Sequence, residues 1–226
     1  NYLDGPDHPL WIGDSGLDGW GPIGIHLGIG NQEIAYNTIK NYLTTDSPYG
    51  SDGGAIDLDD GRYHKDNFYI HHNYTEGNAG FLESSWELDY LPEVQEVHNL
   101  RVAFNVNYDG QDWILMWAPC RNCYFDNNTI IRTNAFGSPA NDVAFLAFEG
   151  IYFRNNLFIF STSTPYEGDG AAHILTEGNW YFNPADVSAH YGDEHAAGSG
   201  DPRLVDLIGG NYQLTCDSPL RGRGIN

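Results

Sequence analysis

Ile34-Ala35-Tyr36-Asn37-Thr38-Ile39 is the stretch that decides the fold: apolar or aromatic residues alternate with smaller or polar ones, and an asparagine follows. The pattern returns at residues 69–74, 100–106, 124–130, 151–157 and 178–182. Its asparagine falls at positions 37, 73, 105, 128, 156 and 179, in steps of 36, 32, 23, 28 and 23 residues. A unit this short, with variable insertions, indicates a solenoid whose stacked coils bury one continuous core.

A further strand is predicted before each copy, at residues 24–28, 55–59, 80–83, 113–117, 143–147 and 173–177. Three short strands and three turns fit within the shortest step, since a strand residue advances about 3.3 Å. The recurring asparagine suits either left-handed backbone geometry or a stack of like amides from coil to coil. The sequence therefore predicts an all-β, single-stranded solenoid of about six to seven coils.

The last quarter of the chain adds a resemblance to a known family. It contains Gly200-Asp201-Pro202-Arg203-Leu204-Val205-Asp206, Asn211-Tyr212-Gln213-Leu214, Asp217-Ser218-Pro219-Leu220 and Gly222-Arg223-Gly224. With the asparagine repeats, these segments resemble the right-handed parallel β-helix superfamily, which includes pectate and alginate lyases, polygalacturonase-like hydrolases and phage tailspikes. The resemblance implies a right-handed parallel β-helix over residues 1–182, a closing segment over 183–226 packed on it, and a polysaccharide as partner.

Charge and hydropathy exclude several other partners. The 226 residues include 10 Lys and Arg against 31 Asp and Glu, a formal net charge of −21. Phosphates of nucleic acids and anionic lipids would be repelled, and no apolar run is long enough to span a membrane. This balance suits an extracellular protein, secreted or at the cell surface, although an acidic surface often serves solubility alone. Because residues 1–5 read like the middle of a coil, we expect upstream coils or self-association at that end.

The chain has three cysteines, Cys120, Cys123 and Cys216. The first two have the CxxC spacing, but a structural zinc site needs four ligands and no second pair exists. One local disulfide with a lone thiol, or three buried small side chains, is the expected arrangement.

Strand alternation predicts a groove on the outer face of the first sheet. If Ile25, Ile56, Leu82 and Ile114 point inward, the same face exposes a row of polar and aromatic residues. The predicted substrate-binding and catalytic row comprises His26, Asp57, Asp59, Phe81, Glu83, Trp113 and Trp117. Carboxylates beside flat apolar rings are suited to sugar chemistry.

Hydrolysis is the first predicted reaction, with Asp57, Asp59 and Glu83 as catalytic residues. Asp57 and Asp59 would lie about 6.6 Å apart along the strand, close to the carboxylate spacing of inverting glycosidases. Crowded carboxylates favour an acid and a base from one cluster. Asp59-Asp60 resembles the paired aspartates of polygalacturonase-like hydrolases, but no Gly-His-Gly accompanies it.

Two alternatives stay open. A lyase would use Arg62 and Lys65, predicted in a loop beside the groove, with Ca²⁺ held by Asp57, Asp59, Asp60 and Glu83 as its cofactor. A non-catalytic structural or adhesive β-helix would use the carboxylates only as a solvated acidic face. His71 and His72 are expected to be surface or ladder residues rather than metal ligands.

Overall fold

The computed structural model describes residues 1–5, 21–47, 50–58, 65–84, 96–110, 113–116, 118, 120–132, 143–145, 148–159, 174–184 and 193–225. Every regular element among these residues is a β-strand. In this part of the chain, no helix has the length and apolar character needed to cross a membrane.

The strands are short, mostly three to seven residues. In chain order they are β1 (Tyr2–Asp4), β2 (Ile23–Leu27), β3 (Gln32–Ala35), β4 (Thr38–Lys40), β5 (Thr44–Ser47), β6 (Gly50–Asp52), β7 (Gly54–Leu58), β8 (Lys65–His71), β9 (Tyr74–Glu76), β10 (Leu82–Ser84), β11 (Val97–Ala103), β12 (Val106–Asp109), β13 (Ile114–Met116), β14 (Cys120–Asp126), β15 (Thr129–Arg132), β16 (Val143–Phe145), β17 (Phe148–Arg154), β18 (Leu157–Ile159), β19 (Ile174–Glu177), β20 (Trp180–Phe182), β21 (Gly198–Ser199), β22 (Leu204–Asp206) and β23 (Asn211–Leu214).

Three parallel sheets contain nearly all of these strands. The five-stranded sheet has the order β16-β13-β10-β7-β2, the six-stranded sheet β19-β17-β14-β11-β8-β3, and the eight-stranded sheet β1-β4-β9-β12-β15-β18-β20-β21. From β2 to β18 the chain visits the five-, six- and eight-stranded sheets in that order five times. Two antiparallel hairpins, β5–β6 and β22–β23, lie outside this pattern. The fold is all-β with parallel sheets and is consistent with a β-solenoid-like architecture.

The space between the sheets is filled by like residues stacked from repeat to repeat. Phe125 and Phe153 stack with ring centroids 4.6 Å apart, and Phe158 stacks on Tyr181 at 5.3 Å. All four side chains are buried. Each repeat thus covers the apolar side chains of its neighbour, which a single repeat of three short strands cannot do alone.

The predicted stack of like amides is confirmed. Asn128 shows its geometry: its Oδ1 accepts from the backbone N–H and the side-chain amide of Asn105, both at 3.0 Å. Its Nδ2 donates to the carbonyl of Val102 and to Oδ1 of Asn156, also at 3.0 Å. The same pattern joins residues 37, 73, 105, 128, 156 and 179. Asn1 extends this asparagine ladder, donating from Nδ2 to Oδ1 of Asn37 at 2.9 Å.

The left-handed position lies one residue before each ladder asparagine, not on it. These residues have φ between 52° and 67°: Tyr36, His72, Phe104, Asn127, Asn155 and Gly178. A second left-handed column lies six residues before the ladder, at Asn31, Asn67, Asn99, Asn122 and Gly150. This second column is not predicted from the sequence, although its spacing repeats that of the ladder. Asparagine and glycine tolerate this geometry better than other residues.

A carboxylate closes the ladder at its far end. Buried Asp193 accepts through Oδ2 from the amide of Asn179 at 3.3 Å and from the hydroxyl of Tyr181 at 2.8 Å. Its Oδ1 accepts from Thr176 at 2.8 Å and from the backbone of His195 at 2.9 Å. The acceptors of Asp193 therefore take the place that a further asparagine would hold.

Residues 174–177 differ from their prediction. The segment 173–177 was predicted to belong to the first sheet of its repeat, but β19 pairs with β17 in the six-stranded sheet. It is the strand that leads into Asn179, as β3 leads into Asn37. Residue 173 lies outside the described residues. The period-2 pattern is the same in every sheet, so it does not tell which sheet a strand joins.

The C-terminal segment packs on the outer face of the eight-stranded sheet. Leu204, Tyr212 and Leu220 contact an apolar cluster that includes Leu157 and Trp180. Parallel pairing also continues beyond residue 182, because β21 pairs with β20. After β21, the antiparallel β22–β23 hairpin covers the face of the eight-stranded sheet instead of extending the sheet.

The cysteines form one local disulfide, Cys120–Cys123, and leave an exposed thiol at Cys216. Both bridged residues are buried in the core. This is the first of the two arrangements expected from the sequence.

Candidate active site

Three polar residues share one row on the five-stranded sheet. His26 in β2 is in register with Asp57 in β7, and Asp57 is in register with Glu83 in β10. The residues on either side of Asp57, Ile56 and Leu58, are fully buried in the core. Alternation along the strand therefore directs the three polar side chains to the opposite face, as the sequence predicts. We refer to His26, Asp57 and Glu83 as the acid row.

The acid row crosses three adjacent strands. Neighbouring strands are about 4.8 Å apart, so the backbones of Asp57 and Glu83 are one strand spacing apart. His26 Nδ1 lies 3.6 Å from Asp57 Oδ2. The His26 side chain is 53% exposed, whereas that of Asp57 is 11% exposed. Glu83 is half-buried. One imidazole and two carboxylates thus share one face of three adjacent strands, which is exposed at His26 and enclosed at Asp57.

Two predicted aromatic residues of the groove are in the core instead. Phe81 and Trp113 are both buried, so their prediction as groove residues is wrong. Trp113 packs edge-on against Phe125 and Phe153 at 5.9 and 5.7 Å, and its indole N–H donates to Asn107 Oδ1 at 2.8 Å. Each of the two residues immediately precedes a strand, β10 or β13, where the chain turns and strict alternation does not hold.

The remaining predicted site residues have different outcomes. Asp59, Asp60, Arg62 and Trp117 lie outside the described residues. Lys65 is not in a loop beside the groove: it begins β8 and is in register with Val97 in the six-stranded sheet. The predicted loop at this position is wrong because the chain has already entered the next sheet.

The predicted calcium ligands are only partly described. Asp57 and Glu83 are neighbours, while the other two carboxylates of the set fall outside the described residues. Within the described part of the chain, no group of three or more His, Cys, Asp or Glu side chains is arranged to hold a metal ion.

A second polar cluster, not foreseen from the sequence, lies where the six-stranded sheet turns into the eight-stranded sheet. His71 Nε2 lies 2.8 Å from Glu33 Oε1, and its Nδ1 lies 2.8 Å from His72 Nδ1. The His72 ring is stacked between Tyr36 and Phe104, each 5.1 Å away. His72 therefore belongs to a stack of rings from neighbouring repeats, one of the two roles expected for the pair. The sequence signals the stacked rings, because Tyr36, His72 and Phe104 each precede a ladder asparagine, but it does not signal the contact of His71 with Glu33.

Asp109 is a buried carboxylate away from the acid row with a raised pKa. Asp109 lies between the sheets, where Thr75 and Asn78 donate hydrogen bonds to it. Burial raises the pKa of Asp109 to about 6, although those hydrogen bonds and Arg132 act in the opposite direction. Enclosed in this way, Asp109 is a structural residue rather than a part of the site.

The raised pKa of Asp109 gives a testable pH dependence. The folded state holds this proton more tightly than the unfolded state, so the contribution of Asp109 to stability falls as pH rises from about 4 to about 6. The loss is on the order of 3 kcal/mol. Asp109→Asn keeps an acceptor for Asn78 and cannot ionise. We expect its free energy of unfolding, relative to wild type, to rise by that amount between pH 4 and pH 7.

Urea unfolding of both proteins across this pH range measures the difference. Because all other carboxylates are common to the two proteins, their contributions cancel in the comparison. A constant difference between wild type and variant would contradict the assignment of a raised pKa to Asp109.

No protein-family model, curated protein or solved structure matches the chain. Its function is therefore inferred from its own residues.

Proposed function

We propose that the chain is a right-handed parallel β-helix that acts on polysaccharide outside the cell, cleaving it by hydrolysis at the acid row. The observation that carries the proposal is the alignment of His26, Asp57 and Glu83 on three adjacent strands, on the face opposite the core. Two carboxyl groups near a scissile glycosidic bond can divide the work, one protonating the leaving oxygen and the other assisting attack.

The acid row supplies distinct environments for its two carboxyl groups. Asp57 is mostly enclosed and has His26 at 3.6 Å, whereas Glu83 is half-buried one strand away. Different environments are the usual means by which paired carboxyl groups take different protonation states. We assign Asp57 and Glu83 as the catalytic pair and His26 as the residue that positions Asp57 and faces the substrate.

Two further observations support the proposal, one on the compartment and one on the type of polysaccharide. The Cys120–Cys123 disulfide is the kind of bond that persists in oxidising compartments. The formal net charge of −21 disfavours nucleic acid and anionic membranes as partners, and it favours a neutral polysaccharide over a uronic one.

Substitution at the acid row tests the proposal. We expect Asp57→Asn and Glu83→Gln each to lower kcat/KM by about 100-fold or more, since each removes a proton-transferring group. The assay follows reducing ends and ultraviolet absorbance together on neutral and uronic polysaccharides. Glu177→Gln, an equivalent change at an exposed residue of the six-stranded sheet, is the matched control.

The two readouts separate the candidate reactions. New reducing ends without absorbance indicate hydrolysis, whereas absorbance from an unsaturated uronate indicates lyase chemistry. Full activity in both acid-row variants, with wild-type melting temperatures, would rule out this site.

A non-catalytic, glycan-binding or structural β-helix is the second candidate. It is favoured by the burial of Asp57 and by the position of Phe81 and Trp113 in the core instead of in the predicted groove. Concentration-dependent assembly in light scattering, without turnover of any polysaccharide in the panel, would favour this candidate over cleavage.

A further inference from the structure

The left-handed residues before the ladder asparagines form a row on the outside of the protein, which we name the turn row. In order they are Tyr36, His72, Phe104, Asn127, Asn155 and Gly178. Strand register places them one above another, because the residues immediately before them are paired across β3, β8, β11, β14, β17 and β19. Their side chains shrink along the row from aromatic rings to amides to hydrogen.

Asn155 shows what an amide in this row can bind. Its Nδ2 donates to the carbonyl of Ile225 at 3.1 Å, and its Oδ1 accepts from the N–H of Ile225 at 2.8 Å. The side-chain amide thus holds a neighbouring donor and acceptor at once. The Ile225 side chain extends over Gly178, the next residue of the row.

Asn127 presents the same group one repeat earlier. Its φ of 58° matches the 56° of Asn155, and it is exposed. Its backbone N–H donates to the carbonyl of Arg154 at 2.9 Å. Among the described residues no hydrogen bond to its side-chain amide is found. Asn127 therefore offers a donor and an acceptor, side by side, to solvent.

Phe104 provides a ring face beside this amide. One side of its ring is stacked on His72 at 5.1 Å. On the other side the next residue of the row is Asn127, whose side chain carries no ring to stack on Phe104. Phe104 is 45% exposed, which is high for such a large apolar side chain.

Phe104, Asn127 and the Ile225 end of the tail enclose a notch. Its walls stand two strand spacings apart, about 10 Å, because Asn127 is the one residue of the row between Phe104 and Asn155. The charges beside it are paired: Arg154 makes a two-point ion pair with Asp126 at 2.8 and 2.9 Å. The notch therefore combines one apolar face with one amide, and the Arg154–Asp126 pair beside it adds no net charge.

We propose that this notch binds a neutral sugar unit of a polysaccharide. The apolar C–H face of a pyranose stacks on Phe104, and two vicinal hydroxyls, one donating and one accepting, pair with the Asn127 amide as Ile225 pairs with Asn155. An aromatic face combined with a few placed polar groups is the usual composition of such a site. The notch lies at the turn between the six- and eight-stranded sheets, away from the acid row of the five-stranded sheet, so binding there can be measured without cleavage.

The test uses variants that copy residues already present in the turn row, so that the left-handed backbone is kept. Asn127→Gly removes the amide, and Phe104→Asn removes the ring. Both are made in Asp57→Asn protein, which keeps the ligand intact during the measurement. The probes are neutral gluco-, manno-, galacto- and xylo-hexaoses, titrated by calorimetry and by NMR of the asparagine side-chain amides. Leu175→Ala, which removes another exposed apolar side chain from the six-stranded sheet, is the matched control.

We expect at least one hexaose to bind, to shift the Asn127 amide resonances, and to lose tenfold or more in affinity in each notch variant but not in the control. Absence of binding by every hexaose would overturn the proposal, as would unchanged affinity in both notch variants. Binding of an extended peptide in the notch in place of the sugar would also overturn the proposal. Binding without turnover by wild type would overturn only the hydrolase assignment.

Discussion

Asn128→Ala is expected to lower the free energy of unfolding by about 4 kcal/mol, one of the two largest effects predicted for this chain. The Asn128 side chain accepts two hydrogen bonds from Asn105 and donates one each to Val102 and Asn156, and the substitution removes all four. Asn105 and Asn156 are buried in the ladder, and the Val102 carbonyl also loses its side-chain donor. Each buried group left unpaired costs about 1–3 kcal/mol.

The adjacent residue gives the control for this effect. Asn127→Gly changes an exposed asparagine in a left-handed position that glycine also favours, so we expect less than about 0.5 kcal/mol. Urea unfolding monitored by tryptophan fluorescence measures both variants. Equal destabilisation by the two substitutions would contradict a structural role for the ladder.

Trp113→Ala is the second large effect, also about 4 kcal/mol. The indole fills the centre of the core between Phe125, Phe153 and Phe158, and its removal leaves a cavity that the sheets cannot close. It also leaves Asn107 Oδ1 without its donor. Trp113→Phe retains a ring and should cost less than half as much.

This prediction separates two accounts of the same residue. A tryptophan on a solvent-facing groove would change glycan affinity when truncated and leave stability nearly unchanged. Truncation of a core tryptophan lowers stability and leaves glycan affinity nearly unchanged. We therefore expect Trp113→Ala to shift the urea midpoint strongly, and a wild-type midpoint with weakened glycan binding would restore the groove assignment.

The ladder was predictable because one residue type meets one demand in every repeat. A buried asparagine has a donor and an acceptor to give to its neighbours above and below, and the sequence shows that residue at six positions. The sequence pattern places the left-handed residue on the ladder asparagine, one position too late, because asparagine suits both a left-handed backbone and an amide stack. Asn127 before Asn128 and Asn155 before Asn156 are the places where the sequence contains both signals side by side.

The acid row was predictable for a different reason. Ile56 and Leu58 bracket Asp57, so burying both of them leaves the carboxylate only the other face. No such bracket exists for Phe81 or Trp113, which precede their strands, and their size alone does not say which side of a bend they occupy. The Glu33–His71–His72 cluster was not predictable, because Glu33 and His71 meet only through strand register 38 residues apart.

The asparagine ladder also has a direction. In every step the side-chain carbonyl oxygen points toward the earlier repeat and one amide N–H points toward the later one. The second amide N–H donates to a backbone carbonyl of the earlier repeat, as Asn128 donates to Val102. The side-chain amides therefore align their dipoles along the axis, as peptide groups do in an α-helix, and the positive end falls at Asn179. The anionic Asp193 lies at that end, where a helix would favour an anion. A chain lengthened there by one repeat would need an asparagine in place of Asp193 and a new carboxylate one repeat farther on.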